Sequence, residues 1–179
     1  MSHHTREAFD RRMAARRADP TPVAPHGVFY HAALMPGWEP IAAEQMAVCA
    51  AAGLTDVHTF ALSPRAGDAD RLVAIARHYG VALRLLGTDR RLDRYEVPTL
   101  DAAWEWATAH PGGVVTYFHT KGASNPLDAH KRQWRRVMGR VVLAEWRTNL
   151  GLLEVHDVVG AAWPHLPDLP HFAGNFLAA

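Results

Sequence analysis

The residues best suited to chemistry lie together in one tetrapeptide, His119-Thr120-Lys121-Gly122. Lysine brings a compact positive charge, threonine a hydroxyl donor, and glycine lets the backbone approach an anion closely. These groups suit a phosphate or a diphosphate. The G-x-x-x-x-G-K-[ST] order of a P-loop is absent. The competing use of the same residues is a turn whose histidine bonds to backbone. A basic stretch follows, and its spacing predicts a helix. Arg132, Arg135 and Arg136 fall in the first two turns of that helix, near enough to reach back to the same anion, since a helix rises ~1.5 Å per residue. Arg140 and Arg147 stand further away and read as surface or interface residues.

A second candidate closes the chain: Pro170-His171-Phe172-Ala173-Gly174-Asn175-Phe176. It combines the imidazole of His171, the flexibility of Gly174 and the amide of Asn175 with flanking aromatics. The amide suits a sugar hydroxyl, and a phenyl ring suits an apolar face. A C-terminal packing segment is the other reading. Twelve histidines invite a metal site, but no H-E-x-x-H and no compact Cys/His cluster is present. The one acidic pair with metal-like spacing, Asp68-Ala69-Asp70, falls at a predicted helix start, where carboxylates favour the helix dipole. No D-x-D follows a predicted strand. No Ser/His/Asp or Cys/His catalytic order is evident, and Cys49 sits on an apolar helix face.

These residues must be positioned by an alternation of strands and helices. Strands are predicted at 28–31, 56–62, 81–86, 114–118 and 157–163. Helices are predicted at 39–52, 68–79, 99–109 and 128–150. Strands separated by helices of this length imply βαβ units and a mainly parallel, three-layer α/β sheet with flanking helices. In such sheets, ligands bind beyond the carboxyl ends of the strands, and the His119 loop follows the fourth. The third helix places Leu100, Ala103, Trp104 and Ala107 on its apolar face, with Thr99 as its cap. The last one turns Trp134, Val137, Met138, Val141 and Trp146 inward. Residues 1–25 read as a charged arm followed by a Pro-rich linker, and 26–179 as a single domain.

The chain's 179 residues are 49% hydrophobic and 21% charged, ordinary values for a globular protein. No apolar run approaches the ~20 residues of a membrane helix. The Arg-rich start lacks a signal-peptide core. The expectation is a soluble, cytoplasmic protein. Net charge is +1, but residues 121–147 alone carry seven basic residues against two acidic ones. A local basic patch on a nearly neutral chain points to an anionic ligand and argues against coating by nucleic acid.

The segments Tyr30-His31, Glu44-Gln45, Tyr95-Glu96-Val97-Pro98-Thr99-Leu100, Tyr117-Phe118-His119-Thr120-Lys121-Gly122, Trp134-Arg135 and Pro170 to Phe176 together resemble a group of glycosyltransferase-like proteins of polysaccharide assembly. The resemblance implies a Rossmann-like, nucleotide-sugar-binding core of the GT-A type, with a nucleotide sugar and a glycan acceptor as partners. GT-A folds usually carry a metal-binding D-x-D after the strand equivalent to 114–118, for Mn or Mg. Here His119 to Gly122 occupies that place, and Lys121 with His119 would offset the diphosphate charge instead. His171 and Asn175 would face the sugar or acceptor. Tyr30, His31, Glu96 and Asp157 are further polar candidates, and no catalytic base is assigned. The alternative is a non-catalytic carbohydrate- or anion-binding module on the same fold. GT-A transferases also carry more chain after the fifth strand, which implies a homo-oligomer, a partner subunit or a further segment.

Overall fold

The computed structural model describes residues 24–120, 123, 128–161 and 177–179. Nearly all of the charged arm and Pro-rich linker, and the whole of the aromatic segment Pro170 to Phe176, lie outside them. Strand β1 (His26–Ala33) is buried along both faces, as a central parallel strand must be. Helix α1 (Glu39–Ala52) begins with Pro40 in its first turn and ends on Gly53 at φ 76°, where Leu54 N–H closes on the Cys49 carbonyl at 2.9 Å. Then come β2 (Asp56–Leu62), α2 (Asp68–His78), β3 (Ala82–Asp89), a 3₁₀ turn (Leu92–Arg94), α3 (Val97–Ala109) and β4 (Val114–His119). Each predicted strand and helix up to this point is present within a few residues of its expected bounds.

The sheet order is β3-β2-β1-β4, all parallel, extended by two short strands, β6 (Leu177–Ala178) and β5 (Val159–Gly160). β6 runs antiparallel to both β4 and β5. The architecture is therefore an α/β, Rossmann-like three-layer fold, as the alternation predicts. Right-handed crossovers put α1 and α2 on one face, because β1, β2 and β3 step one way. They put α3 on the other, because β3 to β4 steps back. Alternation along β1 splits the core accordingly. Val28, Tyr30 and Ala32 join Met46, Cys49, Leu72 and Met138 on the α1 side. Phe29 joins Tyr117, Val115 and Ala103 on the α3 side.

Five expectations are corrected. The helix foreseen over 128–150 is three segments: α4 (Ala129–Met138), a π-helical stretch (Gly139–Ala144) and α5 (Trp146–Leu152). The Asn149 side chain donates to the Val141 carbonyl at 2.9 Å and the Val142 carbonyl at 3.4 Å, taking up acceptors that an α-ladder would use. Val137 is exposed rather than inward. On α3, Thr99 and Ala103 face the sheet while Leu100 and Trp104 face outward. The fifth strand shrinks to two described residues, and Thr99 is no cap, since Glu96 holds that position. Among the described residues, no helix is long and apolar enough to cross a membrane.

Gly27 shows how closely α3 approaches the sheet. A β-carbon there would lie 2.8 Å from the Phe29 ring and 2.9 Å from Trp106. Neither ring is a free chain end that can swing aside. Gly27→Ala is expected to lower stability by about 1–3 kcal/mol through overpacking, read as a shift in the urea unfolding midpoint with unchanged slope.

Candidate functional site

The site grows from the seam between β1 and β4. The two strands are parallel neighbours in register, so His31 pairs with His119 and both rings project to the α3 side. Thr120 fastens the seam just past its end. Its hydroxyl accepts from Ala33 N–H at 2.9 Å and donates to the Ala33 carbonyl at 3.0 Å, while its own N–H reaches the His31 carbonyl at 3.1 Å. The Thr120 hydroxyl foreseen as a ligand donor is thus fully used in holding strands together.

Behind the seam, on the α1 face, lies a buried polar network. Tyr30 donates to Gln45 Oε1 at 3.0 Å, and Gln45 Nε2 donates to the His119 carbonyl at 2.7 Å. Beside it, Arg135 Nη2 binds Glu44 Oε2 at 2.9 Å, and Arg136 Nε binds Glu44 Oε1 at 3.1 Å. Arg135 is only 5% exposed. It is therefore a buried structural ion and not a diphosphate ligand, because pulling it to solvent would strand Glu44. Arg132 is exposed near the start of α4, which Asp128 caps by accepting from His130 and Lys131 N–H. Gln45 is a site residue that pattern reading misses. A glutamine within the apolar stripe Ile41, Met46, Cys49 was the available signal, since a buried amide must find partners.

On the α3 face, the start of α3 meets the strand ends. His119 Nδ1 lies 3.4 Å from Glu96 Oε1. His31 Nδ1 lies 2.9 Å from Thr99 Oγ1. Burial pushes the His31 pKa down to about 4, a shift that the Glu96 charge opposes and His119 reinforces. The Tyr117 hydroxyl is buried with no hydrogen-bond partner among the described residues, and burial, then the Glu96 carboxylate, raises its pKa far above the usual phenol value. His31, Glu96 and His119 border a cavity of about 420 Å³ whose walls also include Met35, Leu62, Asp93 and Tyr95. A second cavity, of about 480 Å³, opens by Ser63, Gly67 and Arg90 at the ends of β2 and β3.

The remaining predicted residues separate. Asp157 is exposed and precedes β5, which runs parallel to β4 with Val159 level with Ala178 and so with Thr116. It therefore lies toward the opposite end of the sheet from His119 and is not part of this site. Lys121, Gly122, His171, Gly174 and Asn175 lie outside the described residues. β6 does begin opposite Tyr117, near the end of the sheet where His119 lies. Asp68 accepts from Ser63 Oγ and from Arg71, both at 2.6 Å, and is buried, whereas Asp70 is exposed, so this pair does not converge as metal ligands. Among the described residues, no three His, Cys, Asp or Glu side chains are grouped to hold a metal ion. At the end of β4, a histidine with its Nδ1 beside Glu96 stands where two carboxylates would be needed. Among the described residues, this donor set offers no carboxylate pair for a Mn or Mg ion.

A family model described as a domain of unknown function, DUF8361, matches residues 38–179. The chain belongs to this family. No curated protein matches it, and no solved structure does. The part matched to DUF8361 holds Gln45, Glu96, His119 and Thr120, whereas Tyr30 and His31 of β1 precede it.

Two predictions follow from this geometry. His31 remains neutral in the folded chain to about pH 4, whereas the unfolded chain protonates it near 6.5, so stability falls as pH drops through that window. His26, also lowered by burial to about 4, adds to the same loss. The His31 share is on the order of 3 kcal/mol at most; unfolding midpoints measured across the window should slope less in His31→Asn. Separately, Thr120→Val keeps the shape of the seam but orphans the Ala33 groups. It should cost about 1–3 kcal/mol in chemical denaturation.

Proposed function

We propose that this DUF8361 chain is a glycosyltransferase-like protein that binds a nucleotide-diphosphate sugar at the carboxyl edge of the sheet and transfers the sugar to an acceptor. The observation that carries this reading is the convergence of His31, Glu96 and His119 on one cavity where β1 and β4 end side by side. In a Rossmann-like sheet, that edge is where ligands bind. The mixed edge, with antiparallel β6 between β4 and β5, is compatible with the GT-A type that the motifs resemble.

The division of labour follows from chemistry. Leu62, Met35 and Tyr95 supply apolar wall for a flat ring or a sugar face, and Asp93 and Glu96 accept from hydroxyls. Lys121, next in sequence to the Thr120 clamp, would offset the charge of the departing diphosphate, with exposed Arg132 as the helper from α4. Arg135 is excluded from that task by its pairing with Glu44.

A second reading, a non-catalytic carbohydrate- or anion-binding module, has one observation in its favour. Both carboxylates at the cavity are already paired, Glu96 with His119 and Asp93 with Arg91 at 3.0 Å. Calorimetry with UDP-, GDP- and dTDP-sugars separates the readings. Transfer predicts saturable binding, release of nucleoside diphosphate, and an affinity about tenfold or more weaker in Lys121→Ala. Binding without turnover selects the module, and no binding by any of the three classes removes the nucleotide-sugar reading.

A further inference from the structure

We propose that the outer face of α3, from Tyr95 through Val97 and Leu100 to Trp104, is a docking track for a neutral saccharide chain that leads into the cavity at His119. The inference rests on the reading of the site as carbohydrate-handling and names the side from which the acceptor arrives.

Trp104 is 76% exposed, Tyr95 73%, Val97 52% and Leu100 44%. Single apolar residues on a surface need no explanation, whereas a contiguous run of large ones marks a contact site. Positions 97, 100 and 104 share one helix face and span about 10 Å along the axis. The run does not end in open solvent, because Tyr95 is itself part of the cavity wall. Tyr95 is also the only non-glycine with positive φ among the described residues, at 48°. A bulky side chain rarely adopts that backbone, and such strain gathers where a ligand is held. The strained tyrosine joins the cavity to the stripe.

Charge selects the occupant. Helix α3 contains no lysine or arginine and its exposed Asp101 and Glu105 flank the stripe, while the arginines just before Tyr95, Arg91 and Arg94, are paired with Asp93 and Asp89. An anionic lipid surface or a nucleic acid would be repelled. A second copy of the chain, packing α3 against α3, would bring the same carboxylates together. A neutral glycan meets neither obstacle. Its apolar ring faces lie against Tyr95 and Trp104, and its hydroxyls donate to Asp101 and Glu105.

The test uses the full chain with maltohexaose, cellohexaose and mannohexaose as probes, followed by tryptophan fluorescence and calorimetry. Expected is saturable binding of at least one probe, weakened about tenfold or more by Trp104→Ala and largely restored by Trp104→Phe. Trp104→Ala should leave the melting temperature and UDP binding unchanged, since Trp104 touches neither core nor cavity. Saccharide binding without UDP binding supports the track while removing the nucleotide reading. The track is overturned by no binding of any probe, by full affinity in Trp104→Ala, or by sedimentation showing a dimer that this substitution dissolves.

Discussion

The site depends on the closure of the β1–β4 seam. These strands are distant in sequence and adjacent in space, and their ladder would fray where both chains turn away from the sheet. Thr120 prevents this by using its hydroxyl as donor and acceptor to the same residue, Ala33, while its amide extends the ladder to His31. The bonds are individually modest, about 1 kcal/mol each. Their value is geometric. They fix His31 and His119 at one level, and an imidazole pair at one level is what Glu96 and Thr99 can address from a single helix turn.

The same register divides labour between the two faces. Tyr30 and Phe118 point toward α1 and stack with ring centroids 4.6 Å apart. Their neighbours His31 and His119 point toward α3. A slip of one residue would exchange the sets and bury His31 and His119 under α1 without their partners. The Gln45 amide works against that slip, because it reads the Tyr30 hydroxyl and the His119 carbonyl at once. Glu44, the preceding residue, holds Arg135 of α4. Two consecutive residues of α1 thus grip the chain just before and just after the segment that links β4 to α4.

What could be read from the residues follows from which forces act locally. Strands β1 to β4 and helices α1 to α3 were legible because β-forming runs and apolar helical spacing are punctuated by proline and glycine, as by Pro40 and Gly53 around α1. The break at Gly139 was not, since it depends on Asn149 reaching back two turns for carbonyls. β6 escaped notice because Leu177-Ala178 has little strand character of its own and is held by pairing with β4. At the site, the types were legible and the partnerships were not. Thr120 and Arg135 carry the right groups for an anion, but tertiary contacts had already claimed them. Nothing in local spacing reveals that Glu44 waits 91 residues away.

Helix α3 shows why such misreadings cluster near function. By apolar spacing alone, Leu100, Ala103, Trp104 and Ala107 form its buried face. The helix is instead rotated by about one residue, near 100°, so that Glu96, Thr99 and Ala103 face the strands. The two arrangements exclude each other. With Leu100 and Trp104 buried, Thr99 would turn away and leave His31 without its partner. The exposed Leu100 and Trp104 side chains forgo burial worth about 1.5–3 kcal/mol each, more than the roughly 1 kcal/mol of the hydrogen bond between Thr99 and His31. A helix that turns its largest apolar residues to water while setting a threonine hydroxyl against a buried histidine breaks a local rule. Such breaks are expected at places where selection acts on something other than stability.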